Sequence, residues 1–375
     1  MTDHLGPVLA GARILVTAQR RADDLALALS RRGAEVQIAA TLGVRPHIDE
    51  DVLLDQTRAL IADPADVVII TTGIGFRGWL DTAEAGGLAD ELVASLAATR
   101  LIARGPKARG ALQAAGLRPD WVAESETSAE IGSFLRTEGL DGQRVVIQHH
   151  GAGDDGLKAQ LEAAGGAVTG LVIYAWGPPP DPAAVSRSVV DVAAGGYDAV
   201  AFTSAPGASA WIAAVRDSGD MTTVRELVRT GSLLLAAVGP VTAEPLAVAG
   251  LDALVPERGR LGALVRALIV RLGSDELGIP TPAGVLRLRA TSATLDHSIL
   301  PLSPGALTAL RLLASDPGAV FSRQDLLDVL PGASTDPHTA EVVIARLREA
   351  MGPVSPVRTV VKRGYRLDVV GLEKP

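Results

Sequence analysis

A self-similarity at an offset of about 132 residues limits what this chain folds into more than any other feature, because two copies of one unit require two copies of one architecture. Asp66-Val-Val-Ile-Ile-Thr71-Thr72-Gly-Ile-Gly75-Phe-Arg-Gly-Trp79 aligns without a gap on Asp198-Ala-Val-Ala-Phe-Thr203-Ser204-Ala-Pro-Gly207-Ala-Ser-Ala-Trp211. Gly105-Pro106, Leu112 and Ala115-Gly116-Leu117 match Gly239-Pro240, Leu246 and Ala249-Gly250-Leu251. Upstream, Gly11-Ala-Arg-Ile-Leu-Val with Asp24 and Val36 matches Gly142-Gln-Arg-Val-Val-Ile with Asp155 and Val168. Each block reads as a short apolar, β-branched run, a Gly or Thr/Ser turn, and an Ala/Leu-rich helix. Strands apolar on both faces and alternating with helices imply a parallel sheet covered on both sides. The first 270 residues therefore read as two similar α/β units. Thr71-Thr72 and Thr203-Ser204 fall where strands give way to helices, and hydroxyls with free N–H groups at that edge suit an anion.

The 375 residues allow two to three domains at about 150 residues each, and 47% apolar against 21% charged residues excludes disordered and fibrous classes. The absence of cysteine removes disulfides, thiolate metal sites and cysteine nucleophiles together. No run approaches the roughly 18 apolar residues of a membrane helix. The N-terminal MTDHLGPVLAGAR has an acid where a signal peptide carries positive charge, so a cytoplasmic protein without membrane association is expected. The net charge of −8 argues against a nucleic-acid partner only as an average. Residues 283–375 carry 11 Lys and Arg against 9 Asp and Glu, a balance of +2 that leaves −10 for residues 1–282. Residues 336–366 hold six basic groups against three acidic ones.

The run Arg13-Ile-Leu-Val-Thr17, the stretch from Phe202 to Ile212, Gly239-Pro240-Val241-Thr242-Ala243, and Tyr174 after an apolar run together resemble uroporphyrinogen-III synthase, the cyclising enzyme of tetrapyrrole biosynthesis, over residues 8–272. The resemblance implies two parallel-sheet α/β lobes joined by a two-stranded hinge, with residues 1–41 and 173–272 in the first lobe and 42–172 in the second. It implies that Tyr174, Thr203, Ser204 and Thr242 line a ligand cleft, with Tyr174 the catalytic candidate if turnover is retained. Thr17, Thr71, Thr72, His149 and His150 at strand ends complete the candidate ligand set. No cofactor or metal is expected. Three turns depart from the family: Thr17-Ala18-Gln19 lacks the usual Arg after Thr, Thr72-Gly73-Ile74-Gly75 replaces Ser-Asn-Ala-Val, and Gly105-Pro106-Lys107-Ala108 replaces Gly-x-Thr-Ala. That synthase chemistry depends on holding a floppy substrate, so altered turns would abolish it while leaving a cleft.

Residues 273–284 are punctuated by Gly, Pro, Ser and Asp and read as a linker. Beyond a small strand region at 285–299, Ser303-Pro304 is an N-cap followed by proline, with Ala306, Leu307, Leu310 and Leu313 on one face and Asp316-Pro317-Gly318 as the stop. Ser322-x-x-Asp325 has the form of a capping box. Asp336-Pro337 opens a third helix in which Ala340, Val343, Ile344, Leu347 and Met351 form the apolar stripe, while His338, Val342, Ala345, Arg346 and Glu349 face away. A hairpin with Lys362-Arg363 at its tip follows. Residues 285–370 resemble the OmpR/PhoB-type winged helix-turn-helix of bacterial response regulators. By that resemblance the third helix enters the major groove of double-stranded DNA. His338, Thr339 and Arg346 lie on it, Arg346 reading a base edge. Thr339, Arg348 and Thr359 match phosphate-contacting positions, and Lys362 and Arg363 tip the wing. Val343, Glu349-Ala350 and Val361 stand where that family carries His or basic residues, which implies a smaller phosphate footprint and affinity that depends on a dimer or a second protein.

Other motifs have two readings. Gly73-x-Gly75-x-x-Gly78 has the form of a dinucleotide fingerprint, but its repeat copy carries Ala205 and Ala210 and no strand-end acid follows, which favours a structural turn. His149-His150 with Asp154-Asp155 reads as a turn or cleft-lining group before it reads as a metal cluster. Trp79 and Trp211 are expected in the lobe cores, Tyr174 serves either the cleft or hinge packing, and Asp23-Asp24 lacks the strand-end Asp of a phospho-receiver. The expected function is a transcriptional regulator with a synthase-like sensory or interaction module, similar to fused regulators of nitrate and nitrite assimilation. Its expected partners are promoter DNA, a small acidic or tetrapyrrole-like ligand, another regulator or RNA polymerase, and a second copy on DNA. The alternative is a working synthase carrying a regulatory DNA-binding domain.

Overall fold

The computed structural model describes residues 6–19, 21–46, 50–149, 151, 153–332 and 336–371. The chain divides into two compact units, one built from residues 1–42 and 179–375, the other from 43–178. The first unit holds a five-stranded parallel sheet in the order Ala253–Leu254, Leu234–Ala237, Ala199–Phe202, Arg13–Val16, Glu35–Ile38. The second holds another, ordered Trp121–Val122, Arg100–Ala103, Val67–Ile70, Arg144–Gln148, Ala167–Leu171. Strand for strand these are the same order, and the sequence repeat is thereby a repeat of topology. The central strands Val67–Ile70 and Ala199–Phe202 are buried at every residue, as sheets covered by helices on both faces require.

Each sheet has a core on either face. Trp79 and Trp211, equivalent in the repeat, are both fully buried, and Trp211 meets Phe202 edge-on at a ring separation of 5.2 Å. Trp79 Nε1 donates to Thr57 Oγ1 at 2.9 Å. Inside the second unit the strands Gly43–Pro46 and Tyr174–Gly177 pair antiparallel.

The C-terminal part of the first unit is a winged helix with small antiparallel sheets. Residues 279–281, inside the segment that reads as a linker, form a strand with Gly284–Leu288, and Ala293–Leu295 and Ser298–Ile299 complete a four-stranded sheet. The punctuating Pro282 and Ala283 are thus the turn of a hairpin closed by the Thr281 and Gly284 pair. Helices Pro304–Ser315, Arg323–Val329 and Pro337–Ala350 pack on one core. Their starts are set locally: Ser303 Oγ accepts the Ala306 N–H, and Ser322 and Asp325 make a reciprocal capping box. The wing pairs Val357–Val360 with Gly364–Leu367. Gly364 has φ +136°, and a Cβ there would approach the Phe321 carbonyl to 2.0 Å, so only glycine lets the wing bridge to Phe321. Among the described residues no helix is long and apolar enough to cross a membrane.

Candidate functional site

In parallel α/β sheets ligands gather at the carboxyl ends of the strands, where Thr71, Thr72 and His149 lie in the second unit and Thr17, Thr203, Ser204 and Thr242 in the first. In the second unit the strand Val67–Ile70 runs into Thr71 and Thr72, and Thr72 caps the helix Gly73–Ala85 by accepting the Gly75 N–H at 3.2 Å. The adjacent strand ends at Gln148, which is fully buried. Its Oε1 accepts the Thr72 N–H at 3.2 Å and its carbonyl accepts the Thr71 hydroxyl at 2.7 Å. Gln148 Nε2 also donates to the His149 carbonyl. Tyr174 OH donates to Thr72 Oγ1 at 3.4 Å, while the ring is buried in the core and meets Trp176 edge-on. Tyr174 therefore joins the packing of the strand Tyr174–Gly177 and the Thr72 network in one residue. His149 is buried next to Gly170, where a Cβ would come within 2.4 Å of its Nε2. His150 lies outside the described residues.

Two members of this edge are not among the residues singled out from the sequence. Gln148 organises Thr71, Thr72 and His149. Arg104 follows the strand Arg100–Ala103 and donates its N–H to the Ile70 carbonyl at 3.0 Å. Its guanidinium makes no hydrogen bond or ion pair with a described residue. Burial pushes it below the usual arginine range, and the nearby Asp155 opposes that shift. The signal for Arg104 was available: it stands where the repeat copy has Val238, a charge replacing an apolar residue at one position of a duplicated frame.

The glycine spacing at 73, 75 and 78 has a packing cause. A Cβ on Gly73 would lie 2.3 Å from the Lys107 carbonyl, on Gly75 2.0 Å from Gln148 Nε2, and on Gly78 3.2 Å from Ile173 Cγ2. Asp154 caps the turn that follows His149 by accepting the N–H groups of Gly156 and Lys158. No cluster of three or more His, Asp or Glu suited to a metal occurs among the described residues.

In the first unit Thr17, Thr203-Ser204 and Thr242 sit at or just beyond the carboxyl ends of three adjacent strands. Ser204 caps its helix through Gly207, as Thr72 does through Gly75. Thr17 is buried and donates its hydroxyl to the Ala201 carbonyl at 3.0 Å. Thr242 is buried in the first turn of the helix Pro240–Val248, and Thr203 is half-buried. Thr17 and Thr71 thus both commit their protons to a neighbouring strand. A groove of about 1020 Å³ in this unit lies elsewhere, along the helix Leu261–Gly273, with Arg258, Arg260, Arg266 and Arg271 on its walls.

In the winged helix, Ala340, Ile344, Leu347 and Met351 are buried and the opposite face of Pro337–Ala350 is open. Asp336 caps this helix by accepting the His338 N–H at 2.9 Å. His338 is exposed, 3.7 Å from Glu341, which also pairs with Arg323, and Thr339 is half-buried. Arg346 is exposed and makes no hydrogen bond or ion pair with a described residue. Arg348 differs: Nε donates to the Val357 carbonyl at 3.0 Å, Nη2 to Thr359 Oγ1 at 2.7 Å, and the guanidinium lies 5.7 Å from the Tyr365 ring centroid. Arg348 and Thr359 are therefore brought together as a clamp between helix and wing. Lys362, at φ +60°, and Arg363 are exposed at the wing tip.

These features define a class: a duplicated, two-lobed α/β protein with polar groups at the carboxyl edge of each sheet and a winged helix whose third helix and wing face solvent. The family described as "Uroporphyrinogen-III synthase HemD" matches residues 23–266, and the chain belongs to that family. A second family, "Transcriptional regulatory protein, C terminal", matches residues 297–367. The chain is similar to the uncharacterised protein YjjA of Bacillus subtilis, 29% identical over 262 residues that make up 70% of this chain and 96% of YjjA. A mutant uroporphyrinogen III synthase from Thermus thermophilus is 28% identical, with a TM-score of 0.57 over 69% of this chain and 99% of its own. The DNA-binding domain of Klebsiella pneumoniae RstA, solved with the RstA box, is 24% identical over 24% of this chain and 96% of its own, at a TM-score of 0.22.

Proposed function

We propose that this chain is a DNA-binding transcriptional regulator whose HemD-family lobes serve as a sensory or interaction module. The observation that carries this reading is the open face of the helix Pro337–Ala350, where Arg346 projects without a partner among the described residues beside a wing tipped by Lys362 and Arg363. Such a helix suits the major groove, with Arg346 donating to a guanine edge, His338 and Thr339 near the helix start, and the wing along the minor groove. Arg348 and Thr359 set the angle between helix and wing and present the edge of their clamp to phosphate. The reader is the region 285–370 with the strand Ile279–Thr281 added to its sheet, and the lobes are the α/β parts of the two compact units, 1–42 with 179–272, and 43–178. A balance of only +2 over residues 283–375 favours binding as a homo-oligomer or together with another regulator or RNA polymerase.

The ligand of the lobes is a small acidic molecule or a tetrapyrrole-like one. In the second lobe Arg104, Thr72 and Tyr174 supply donors beside His149, and in the first Thr203, Ser204 and Thr242 do so at its own sheet edge. Binding changes DNA affinity only through a difference in affinity between two arrangements of the protein. Control of nitrate and nitrite assimilation genes fits this scheme, because nitrite reduction needs a tetrapyrrole-derived prosthetic group. The test is a footprint of the full chain on its own promoter region across a salt series. Sequence-independent binding throughout would overturn the regulator reading.

The match of the HemD family across both lobes supports a second reading, a synthase that also regulates. Cyclisation of hydroxymethylbilane separates the two. Turnover near that of an ordinary synthase favours the bifunctional protein, and absence of turnover leaves the regulator. The altered turns and the committed hydroxyls of Thr17 and Thr71 favour absence.

A further inference from the structure

The duplication supplies an internal control at the opposite, amino-terminal edges of the two sheets. Asp66 and Asp198 are equivalent in the repeat, as are Arg144 and Arg13, and Gly142 and Gly11. In each copy the Asp closes the start of the neighbouring strand. Asp66 Oδ2 accepts the Arg144 N–H at 2.7 Å, and Asp198 Oδ2 accepts the Arg13 N–H at 2.8 Å. The copies then diverge. The second oxygen of Asp198 accepts the Ala290 N–H at 2.9 Å, from the turn between the strands Gly284–Leu288 and Ala293–Leu295 of the winged-helix sheet. Asp66 makes no such contact with a described residue.

Gly11 and Gly142 show the same divergence. Both adopt left-handed φ, +71° and +73°. A Cβ on Gly142 would meet nothing within 4 Å, whereas one on Gly11 would lie 2.4 Å from Ser292 Oγ and 3.3 Å from Thr294 Cγ2. Ser292 Oγ donates to the Gly11 carbonyl at 3.0 Å. The turn is held from behind by Arg311, whose Nη2 donates to the Arg289 carbonyl at 2.9 Å and to that of Ala290 at 2.5 Å. Burial raises the Asp198 carboxyl above its usual range, opposed by the two backbone donors and by Arg289 and Arg311.

We propose that the amino-terminal edge of the first lobe's sheet is a docking face for the DNA reader, with Asp198 latching the turn Arg289–Ser292. The reader is then carried by the first lobe as one body and does not swing on a tether. Whatever changes the first lobe is transmitted to the reader through this joint, and a flexible connection would transmit nothing. Asp198 is a positioning residue, and the same carboxylate in the other copy does only the strand-closing half of the work. The effect of this joint on DNA binding rests on the regulator reading given above.

Amide hydrogen exchange on the full chain tests the joint without reference to DNA. Ala290 is expected to be protected in the native protein. Asp198→Asn should speed its exchange by about tenfold or more, with the other first-lobe amides less affected. Ser292→Ala and Arg311→Ala, which leave the lobe's strand closure intact, should each accelerate Ala290 in part. Asp66→Asn should accelerate Arg144 and leave Ala290 unchanged. Ala290 exchanging like an exposed loop in the native chain would overturn the proposal. So would acceleration of Ala290 and of the whole first lobe to the same degree in Asp198→Asn with no response to Ser292→Ala or Arg311→Ala. Promoter affinity measured on the same variants reports separately. A released Ala290 with unaltered affinity keeps the joint and removes its regulatory role, and absence of DNA binding in every variant counts against the regulator reading alone.

Discussion

Replacing Arg346 by Ala separates recognition from folding in a way the structure makes quantitative. The guanidinium is exposed and holds no described residue, so its loss should move stability by no more than about 0.5 kcal/mol. A bidentate arginine–guanine contact carries about 1–3 kcal/mol of discrimination, so preference at one base pair should fall roughly 5- to 150-fold. Arg348→Ala is the contrasting change. It removes hydrogen bonds to the Val357 carbonyl and Thr359 Oγ1 and the contact with the Tyr365 ring, and should cost about 1–3 kcal/mol of folding. The assay pairs anisotropy titrations on an operator fragment and its single-base-pair variants with urea unfolding of each protein. If Arg346→Ala keeps full discrimination at every position, or lowers the urea midpoint as far as Arg348→Ala does, the assignment of the reading face is wrong.

Replacing both Lys362 and Arg363 by Ala should weaken binding evenly across sequences and reduce the slope of log affinity against log salt by up to about 2, measured in the same titrations. Gly75→Ala pushes a Cβ into Gln148 and should cost about 1–3 kcal/mol, whereas Gly110→Ala, in a helix with nothing within 4 Å of the added methyl, should gain about 1 kcal/mol. Thermal or urea unfolding reads both, and equal effects would remove the packing account of the glycine spacing. The Asp198 carboxyl lies higher in the folded chain than unfolded, so the native state binds the extra proton. Its contribution to stability therefore declines as pH rises from the ordinary carboxylate range through the raised value. Wild-type stability minus that of Asp198→Asn should fall across that window, and a difference that grows with pH would contradict the sign.

The polar network was harder to read from the sequence than the elements carrying it. Thr71 and Thr72 are legible as strand-end residues, but which neighbour takes each proton depends on the strand alongside. Gln148 arrives 76 residues later to accept the Thr72 N–H. Thr17 likewise spends its hydroxyl on Ala201, so one residue expected to line a cleft serves the sheet. Arg348 is legible as a basic residue flanking the apolar stripe of its helix, and its partner Thr359 becomes visible only once the wing folds back. The segment 273–284 has the composition of a linker, yet Ile279–Thr281 pairs with Gly284–Leu288, because a hairpin turn and a tether use the same residues.

The sequence by itself determined the duplicated α/β units, the winged helix, the buried tryptophans and the capped helix starts. Those follow from local causes: apolar β-branched runs, Ser and Thr at helix N-caps, glycine at left-handed positions. Only the tertiary structure decided what the two copies do differently. Asp66 and Asp198 stand in matching local sequence and make the same strand-closing bond, and a carboxylate has a second oxygen whose use no local pattern specifies. For Asp198 that oxygen meets Ala290, 92 residues away, and one of two equivalent sheet edges thereby becomes the seat of the reader.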